Sequence, residues 1–246
     1  MAIYRKLLLV IDLQNDFIEG KLAVPGANKV VDYLTNMLNE KVTEFDDILL
    51  TTDSHPSDHI SFASSWSGDI KPFDNVKYED IVDGKYYYKK PYVPKGLFKF
   101  FKNIHYYYFR DLRMPFTVWP DHCIEGTWGE KISEKFLQSV RRWRIVNNLE
   151  PKIFRKGIKP RVEMYSAFSP YTGVDSYLEK RMWNYMNSFT TICVAGLAKD
   201  FCVYYSLRDM IASGLQDKIV VLKDGIAAID ENNDVVNEFY NSFVIR

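Results

Sequence analysis

Short apolar runs alternate with amphipathic stretches along this chain. Five runs have the length and composition of β-strands: residues 6–12, 45–53, 151–157, 190–196 and 218–225. Five stretches have apolar positions at a helical period: residues 26–41, 127–143, 174–189, 201–214 and 231–240. The first run, KLLLVID, is almost continuously hydrophobic, which is typical of a strand buried on both faces of a parallel sheet. The alternation predicts a single α/β domain, 1–246, whose mostly parallel sheet is covered by helices on both faces.

Two helix ends have recognisable capping signals. Thr127 precedes the second helical stretch and Glu130 follows three residues later, which is the spacing of a capping box. Gly214 follows the fourth stretch and predicts its end, because glycine is the usual residue just beyond a helix C-terminus.

The periodicity fails between residues 67 and 116, and we interpret this segment as an insertion within the domain. Residues 85–110 contain eleven aromatic residues, seven lysines or arginines and no acid. The rest of the chain therefore has 25 basic against 32 acidic residues, an imbalance that the zero net charge conceals. The segment is a candidate lid or subunit contact, which leaves a homo-oligomer open. Nucleic-acid or membrane binding through its lysines and aromatics is the less favoured reading.

Composition narrows the class of protein. The chain has 246 residues, 47 % hydrophobic, with 32 basic and 32 acidic side chains, so overall charge favours neither nucleic acid nor membrane as a partner. Its longest apolar runs are too short to span a bilayer. The N-terminal residues show no signal-peptide pattern, and three widely spaced cysteines do not suggest a disulfide framework. We therefore expect a cytoplasmic protein.

Several polar residues of catalytic type follow the predicted strands. Ligands of open parallel sheets bind beyond the carboxyl ends of the strands. Asp12 ends the first strand, Asp53 and His55 end the second, Lys156 ends the third, and the turn leading to Cys202 follows the fourth. These side chains are therefore expected at one edge of the sheet.

Cys202 lies at the start of a helix, where backbone amides lower a thiol pKa and can stabilise an oxyanion. Position alone leaves it balanced between a nucleophile and a buried structural cysteine. Cys193, inside an apolar strand, and Cys123 are assigned to packing. Asp12 could accept the thiol proton or form a turn, and Lys156 could lower the thiol pKa or remain a solvated lysine.

A metal site is a second hypothesis from the residues. Asp53 and His55 are two apart on an extended segment, so their side chains leave the same face. His122, in WPDHC, could complete a site with one carboxylate and two histidines for Zn²⁺, Mn²⁺ or Fe²⁺. Taken alone, His122 is better explained as an ordinary loop histidine.

Five motifs in order resemble nicotinamidases of the isochorismatase-like hydrolase superfamily. They are VIDLQNDF, TTDSHPSDHISF, WPDHCIEGTWG, FRKG with EMYSAF, and VAGLAKDFCV. The resemblance covers nearly the whole chain except 67–116. It implies a doubly wound parallel fold and the hydrolysis of nicotinamide to nicotinate and ammonia, a step of NAD salvage.

The resemblance also implies site residues. The catalytic triad would be Asp12, Lys156 and Cys202, and one divalent ion, most plausibly Zn²⁺, would be held by Asp53, His55 and His122. The Leu197–Ala198 peptide would be cis, with the amides of Ala198 and Cys202 forming the oxyanion hole. Phe17 and Trp119 would flank the pyridine ring. On this reading His59 orders the loop and Asp58 is solvated.

Two features depart from the family pattern and leave the substrate open. Lys199 replaces a residue that is usually small and polar, which puts a positive charge beside the nucleophile, and the aromatic insertion precedes Trp119. The main alternative is a related metal-containing amidohydrolase acting on another small amide, such as a pyrazinamide-like or carbamoyl compound. Isochorismate hydrolysis is less favoured because it needs neither this cysteine nor this metal set.

Overall fold

A five-stranded, wholly parallel sheet forms the centre of the protein. The computed structural model describes residues 4–89, 116–168, 176–241 and 243. The strands are β1 (Lys6–Ile11), β2 (Asp47–Asp53), β3 (Lys152–Lys156), β4 (Thr191–Leu197) and β5 (Ile219–Ala227). Their order in the sheet is β3-β2-β1-β4-β5. The connections thus run outward in opposite directions from β1 and β4, as in a doubly wound fold.

Five longer helices accompany the sheet. They are α1 (Ala27–Glu40), α2 (Glu134–Asn147), α3 (Ser176–Asn187), α4 (Tyr204–Ala212) and α5 (Asp234–Tyr240). Helix α1 packs against α2 and β5. Right-handed crossovers on either side of the switch between β1 and β4 put helices on opposite faces of the sheet. The predicted fold class is confirmed.

Burial of the strands explains why their hydrophobic runs are continuous. Residues 7–11 of β1 are all buried, and so are residues 192–197 of β4. These two strands are direct neighbours at the middle of the sheet, so both of their faces are covered. Strand β3 lies at the edge, and most of its residues are exposed or half-buried.

Most predicted element bounds agree with the structure to within two or three residues, but one helix start is wrong. Helix α2 begins at Glu134 with Ser133 as its N-cap, and not at Thr127. The Thr127 hydroxyl donates to the carbonyl of Ile124 instead. The Glu130 carboxylate accepts from the amide of Gly126 and from the Ser54 hydroxyl, so it is engaged in tertiary contacts and not in a capping box.

The other helix ends are close to those expected. The stretch predicted as helix 201–214 consists of a π-helical turn, Lys199–Val203, followed by α4. Gly214 follows the end of α4 with a φ of 79°, and its amide donates to the carbonyl of Ile211. The predicted role of Gly214 at the end of this helix is therefore confirmed. The first two residues of the predicted helix 174–189 lie outside the described residues.

The described part of the 67–116 segment packs onto the main core. Residues Trp66–Ser67 pair antiparallel with Tyr87–Tyr88, and Asn75–Val76 pair with Phe116–Thr117. Tyr86 and Tyr88 are buried within the hydrophobic core. Most of the basic and aromatic stretch 85–110 lies outside the described residues, so its interpretation as an insertion stays a prediction. Among the described residues, no helix combines the length and the hydropathy needed to cross a bilayer.

Candidate active site

The carboxyl ends of four neighbouring strands bring the predicted residues together. Asp53 at the end of β2 is the register partner of Lys156 at the end of β3, so their side chains start side by side. Asp12 follows β1 with a φ of 49°, a conformation that is uncommon outside glycine and that clusters at functional sites. Cys202 lies in the π-helical turn after β4.

Lys156 is the centre of a buried polar cluster. Its ammonium Nζ lies 2.9 Å from Oδ2 of Asp12, 2.6 Å from Oδ1 of Asp53 and 3.5 Å from the Cys202 sulfur. It also donates to the carbonyl of Met164 at 3.0 Å. Lys156 and Asp12 are both fully buried. A buried charge needs such compensation, since an unpaired one is strongly disfavoured.

Charge pairing sets the protonation states of this cluster. Burial opposes the charge of Lys156, but the carboxylates of Asp12 and Asp53 outweigh it and raise the pKa of Lys156 well above its ordinary value. For Asp53, burial is outweighed by Lys156 and His55, and its pKa is lowered. For Asp12, burial prevails over the attraction of Lys156, so its pKa is raised. Asp12 is thus the better proton acceptor of the two carboxylates.

Cys202 is held next to this acceptor. Burial raises the pKa of the Cys202 thiol well above its usual range, the Lys156 charge opposes the shift, and a hydrogen bond to Asp12 adds to it. One oxygen of each carboxylate, Asp12 and Asp53, lies within 4.8 Å of the Cys202 sulfur. Oδ2 of Asp12 pairs with the Lys156 ammonium at 2.9 Å, and Oδ1 accepts from the Thr51 hydroxyl at 2.6 Å, so the carboxylate is held beside the thiol. The peptide Leu197–Ala198 before the turn is cis, as expected.

Asp53, His55 and His122 form a second cluster beside the first. Their potential ligand atoms all lie within 4.8 Å of one another, and all three residues are buried. Oδ2 of Asp53 is 3.7 Å from Nε2 of His55, while Oδ1 of the same carboxylate contacts Lys156. Asp53 therefore links the candidate metal cluster to the lysine.

Hydrogen bonds on the far side of both imidazoles fix the tautomer that a metal requires. Nδ1 of His55 is 3.0 Å from the carbonyl of Gly157, and Nδ1 of His122 is 2.8 Å from the carbonyl of Pro120. A carbonyl oxygen can only accept, so both Nδ1 atoms carry the proton. When neutral, each ring keeps the Nε2 lone pair free for a cation, as in most histidine metal ligands. The donor set suits zinc and related divalent ions.

Gly157 is required by the close packing around His55. A Cβ at this position would lie 2.4 Å from Cε1 of His55 and 3.2 Å from Oδ1 of Asp53. The backbone φ of 69° also favours glycine. The glycine of the FRKG motif thus serves the second cluster, although it contributes no side chain.

A cavity of ≈ 340 Å³, including its open mouth, connects the two clusters to solvent. Its lining combines reactive groups with apolar and aromatic side chains: Phe17, Leu22, Asp53, Trp119, His122, Glu163, Tyr165, Ala198, Phe201, Cys202 and Ile229. The predicted ring-flanking residues Phe17 and Trp119 and the predicted oxyanion residue Ala198 are all among them.

An aromatic cluster holds Trp119 in place. Its indole Nε1–H donates to the Tyr165 hydroxyl at 3.1 Å, and that hydroxyl donates to the carbonyl of Thr117 at 3.2 Å. The Trp119 ring also packs edge-to-face against Phe201, with ring centroids 4.6 Å apart. This wall of the cavity is therefore rigid and apolar.

A carboxylic acid that was not among the predicted site residues, Glu163, also lines the cavity. Glu163 is buried, and burial raises its pKa to about 6, opposed by the charge of His55. One of its oxygens accepts from the amide of Met164, and the other has no partner among the described residues. Its place in the EMYSAF motif was the available signal.

Two further residues of the first motif were also missed, because they act on the backbone of other segments. The Gln14 side chain accepts from the amide of Asp53 and donates to its carbonyl. Asp16 accepts from the amide of Cys123 at 2.7 Å, next to His122. Both therefore position the segments that carry the candidate metal ligands.

The remaining candidates have structural surroundings. The His59 ring lies against His55 in a tilted arrangement with centroids 4.1 Å apart, and it contacts the Ser61 hydroxyl and the Val162 carbonyl. Asp58, expected to be solvated, is half-buried, and its carbonyl accepts from the Tyr88 hydroxyl. The cysteines at 123, 193 and 202 are all buried and form no disulfide.

Comparison with known proteins places this geometry in a family. The isochorismatase domain model matches residues 107–240. The nicotinamidase of Acinetobacter baylyi is 30 % identical over 234 residues, covering 93 % of this chain and 84 % of that protein. The yeast nicotinamidase bound to the inhibitor nicotinaldehyde has the same fold, with a TM-score of 0.67, 23 % identity and 98 % coverage of both chains.

A third relative was solved with a metal. The pyrazinamidase of Pyrococcus horikoshii in complex with zinc superposes with a TM-score of 0.56 at 21 % identity, covering 98 % of each chain. At this identity the likeness concerns the fold. The matched domain spans more than half of this chain, and the sequence relatives extend over nearly all of it. The chain therefore belongs to the isochorismatase-like hydrolase family.

Proposed function

We propose that this protein is a nicotinamidase, which hydrolyses nicotinamide to nicotinate and ammonia in NAD salvage. The observation that carries the proposal is the buried contact between Lys156, Asp12 and the Cys202 sulfur at the floor of an aromatic cavity. A thiol beside a carboxylate of raised pKa is suited to acyl transfer. The Acinetobacter baylyi nicotinamidase, whose sequence matches most of this chain, supports nicotinamide as the substrate.

The acylation step uses the first cluster. Asp12 accepts the Cys202 proton, and the thiolate attacks the carboxamide carbon of the substrate. The amides of Ala198 and Cys202 are the proposed donors to the oxyanion, each contributing on the order of 3 kcal/mol to the transition state. The C–N bond then breaks, Asp12 returns the proton to the leaving nitrogen, and ammonia departs from a thioester.

Hydrolysis of the thioester is the second half of the reaction, and Asp12 again accepts and returns a proton. Water attacks the thioester carbon, one of its protons passes to Asp12, and the C–S bond breaks to release nicotinic acid, which loses its remaining proton to solvent as nicotinate. The proton then returns from Asp12 to the sulfur. Throughout the cycle the ammonium of Lys156 holds Asp12 in place and balances the negative charge that develops on the thiolate.

Asp53, His55 and His122 are the proposed ligands of one divalent metal ion. The far-side hydrogen bonds of the two imidazoles and the burial of the carboxylate fit this role. Such an ion would supply Lewis acidity toward the pyridine nitrogen and toward water. Zinc is the first choice because the related pyrazinamidase was solved with zinc, and manganese and iron are the alternatives. Phe17 and Trp119 would flank the ring.

The test is ammonia release from nicotinamide, pyrazinamide and a carbamoyl compound by the purified protein. Cys202→Ala is expected to lower kcat by a factor on the order of 10⁴ to 10⁶, as for loss of a catalytic nucleophile. The matched control is Cys193→Ala, which removes a buried thiol that does not line the cavity and should keep wild-type kcat/KM. Ammonia release by Cys202→Ala close to that of the control would overturn the mechanism.

The same assay tests the metal and the substrate. Chelation is expected to abolish activity, and readdition of zinc, manganese or iron to restore it to different extents. Activity untouched by complete metal removal would overturn the metal role. A preference for pyrazinamide or a carbamoyl compound over nicotinamide would favour the alternative amidohydrolase. We further propose that the protein is cytoplasmic, since the mechanism needs a reduced thiol. We also propose that it forms a homo-oligomer, and light scattering of the purified protein tests this.

A further inference from the structure

We propose that the segment 228–240, which follows β5 and includes α5, positions the nucleophile turn 199–203 for catalysis through Lys199 and Asp200. This inference rests on the proposed function, because it assigns a task in the same reaction. None of these contacts involves the candidate metal ligands.

Asp200 ties the turn to the start of this segment. It is fully buried, and its carboxylate accepts from the amides of Ile229 at 3.0 Å and Asp230 at 2.9 Å. Burial raises the pKa of Asp200, and these amide hydrogen bonds oppose the shift. Ile229 also lines the cavity, so this contact joins the turn to the cavity wall.

Lys199 ties the turn to α5. Its carbonyl accepts from the Tyr240 hydroxyl at 2.8 Å. Its ammonium contacts Oδ1 of Asn237 at 2.9 Å and Oε2 of Glu231 at 3.3 Å. The Asn237 side chain in turn donates to the carbonyl of Glu231 at 2.8 Å. The Lys199 ammonium, which departs from the family pattern, thus contacts side chains of the segment 228–240.

The position of these contacts in the chain gives them a catalytic consequence. Lys199 and Asp200 lie between Ala198 and Cys202 in the chain. The backbone amides of Ala198 and Cys202 are the proposed oxyanion donors, and the side chain of Cys202 is the nucleophile. Loosening the turn would move the donors relative to the developing oxyanion, which forms only in the transition state. Ground-state binding of the ring depends less on the turn, because Trp119 contacts it through Phe201 but is also held by the Tyr165 hydroxyl. Lys199 and Asp200 are therefore positioning residues that support kcat more than KM.

Three variants test the contacts one at a time. Asp200→Asn keeps the shape of the side chain but turns an NH₂ toward a backbone amide. Tyr240→Phe removes one hydroxyl, and Lys199→Met removes the ammonium while keeping the length of the side chain. The matched control is Lys218→Met, because Lys218 is also half-buried and donates to two oxygens, those of the Asn187 carbonyl and side chain, at the opposite end of the sheet.

The readouts separate positioning from general stability. Asp200→Asn is expected to lower kcat about ten-fold to a hundred-fold, as for a small misplacement of reacting groups, with a much smaller change in KM. Affinity for nicotinaldehyde, to which the thiolate can add to form a tetrahedral oxyanion, should fall by a similar factor. Affinity for nicotinate should change much less. Tyr240→Phe and Lys199→Met should show the same pattern with smaller losses, while Lys218→Met keeps wild-type kcat.

The opposite results overturn the proposal. They are wild-type kcat in all three variants, or equal losses of nicotinaldehyde and nicotinate affinity. A fall in kcat that Lys218→Met reproduces at a matched loss of melting temperature would also overturn it. A wild-type protein that releases no ammonia from nicotinamide refutes the proposed function instead, and the two failures are therefore distinguishable.

Discussion

Replacing Lys156 by methionine tests whether the buried cluster is held together by its one positive charge. Methionine preserves the length and the apolar stem of the side chain. It removes the contacts to Asp12, Asp53 and the Met164 carbonyl at 2.9, 2.6 and 3.0 Å. Asp12 would then remain buried without its cation, and Asp53 would lose the nearer of its two positive neighbours while keeping His55 at 3.7 Å.

The expected cost is about 3 to 5 kcal/mol in the free energy of unfolding, as for removal of one partner from a buried ion pair. Lys156 is fully buried, so solvent screening does not reduce this value. A loss of this size is a large share of the roughly 5 to 15 kcal/mol that stabilises a typical domain.

The loss should also depend on pH. In the wild type, Lys156 lowers the pKa of Asp53, so this carboxylate stabilises the fold above its unfolded pKa and loses the effect only in strong acid. Without Lys156, burial and the repulsion of Asp53 raise the folded-state pKa of Asp12 further above its unfolded value. The folded variant then binds more protons than the unfolded chain, so its stability falls as the pH rises. Because the pKa of Lys156 is raised on folding, this residue stabilises the wild type at every pH below the pKa of lysine in the unfolded chain. Its contribution is therefore the same at about pH 5 and at about pH 8.

Urea unfolding of chelator-treated wild type, Lys156→Met and Lys156→Met/Asp12→Asn at about pH 5 and about pH 8 measures these quantities. The deficit of the single variant should be larger at the higher pH. The double variant should recover part of it, since one buried charge is gone, while remaining inactive. A single variant as stable as wild type at about pH 8, or a double variant no more stable than the single one, would refute the assigned role of Lys156.

Two further substitutions examine the supports of the site. Gly157→Ala should weaken metal affinity about ten-fold to a hundred-fold, because its Cβ would meet the His55 ring at 2.4 Å; titration with zinc and elemental analysis measure this. Gly126→Ala has similar backbone strain, at φ 78°, but open space around it, and an equal loss there would contradict the steric argument. Tyr165→Phe should raise KM for nicotinamide about three-fold to ten-fold by releasing the indole of Trp119, and steady-state kinetics with unchanged KM would exclude this contribution.

The strands and the location of the chemistry could be predicted from the sequence because both depend on local patterns. Residues 7–11 form a continuous hydrophobic run because the strand is buried on both faces of the parallel sheet. Such a run can be recognised in the sequence without knowing its tertiary contacts. Asp12 follows the first such run, Asp53 ends the second, and Lys156 ends the edge strand β3; all three meet at one edge of the sheet, as expected.

Helix α2 shows where local signals fail. Thr127 and Glu130 have the spacing of a capping box, yet the helix begins at Glu134. Glu130 instead satisfies the Gly126 amide and contacts Arg155 on β3. Arg155 and Ser54 are distant from Glu130 in the sequence, so no local pattern reveals these partners.

The sequence by itself determined the order of the strands along the chain, the residue types at their carboxyl ends and the family motifs that carry them. Only the tertiary structure decided that Lys156 stands between two carboxylates, that Glu163 faces the cavity and that Lys199 reaches the C-terminal segment. The physical reason is range. Hydrophobic periodicity acts over a few residues, whereas burial, charge pairing and the resulting pKa shifts depend on groups that are distant in sequence and adjacent only after folding.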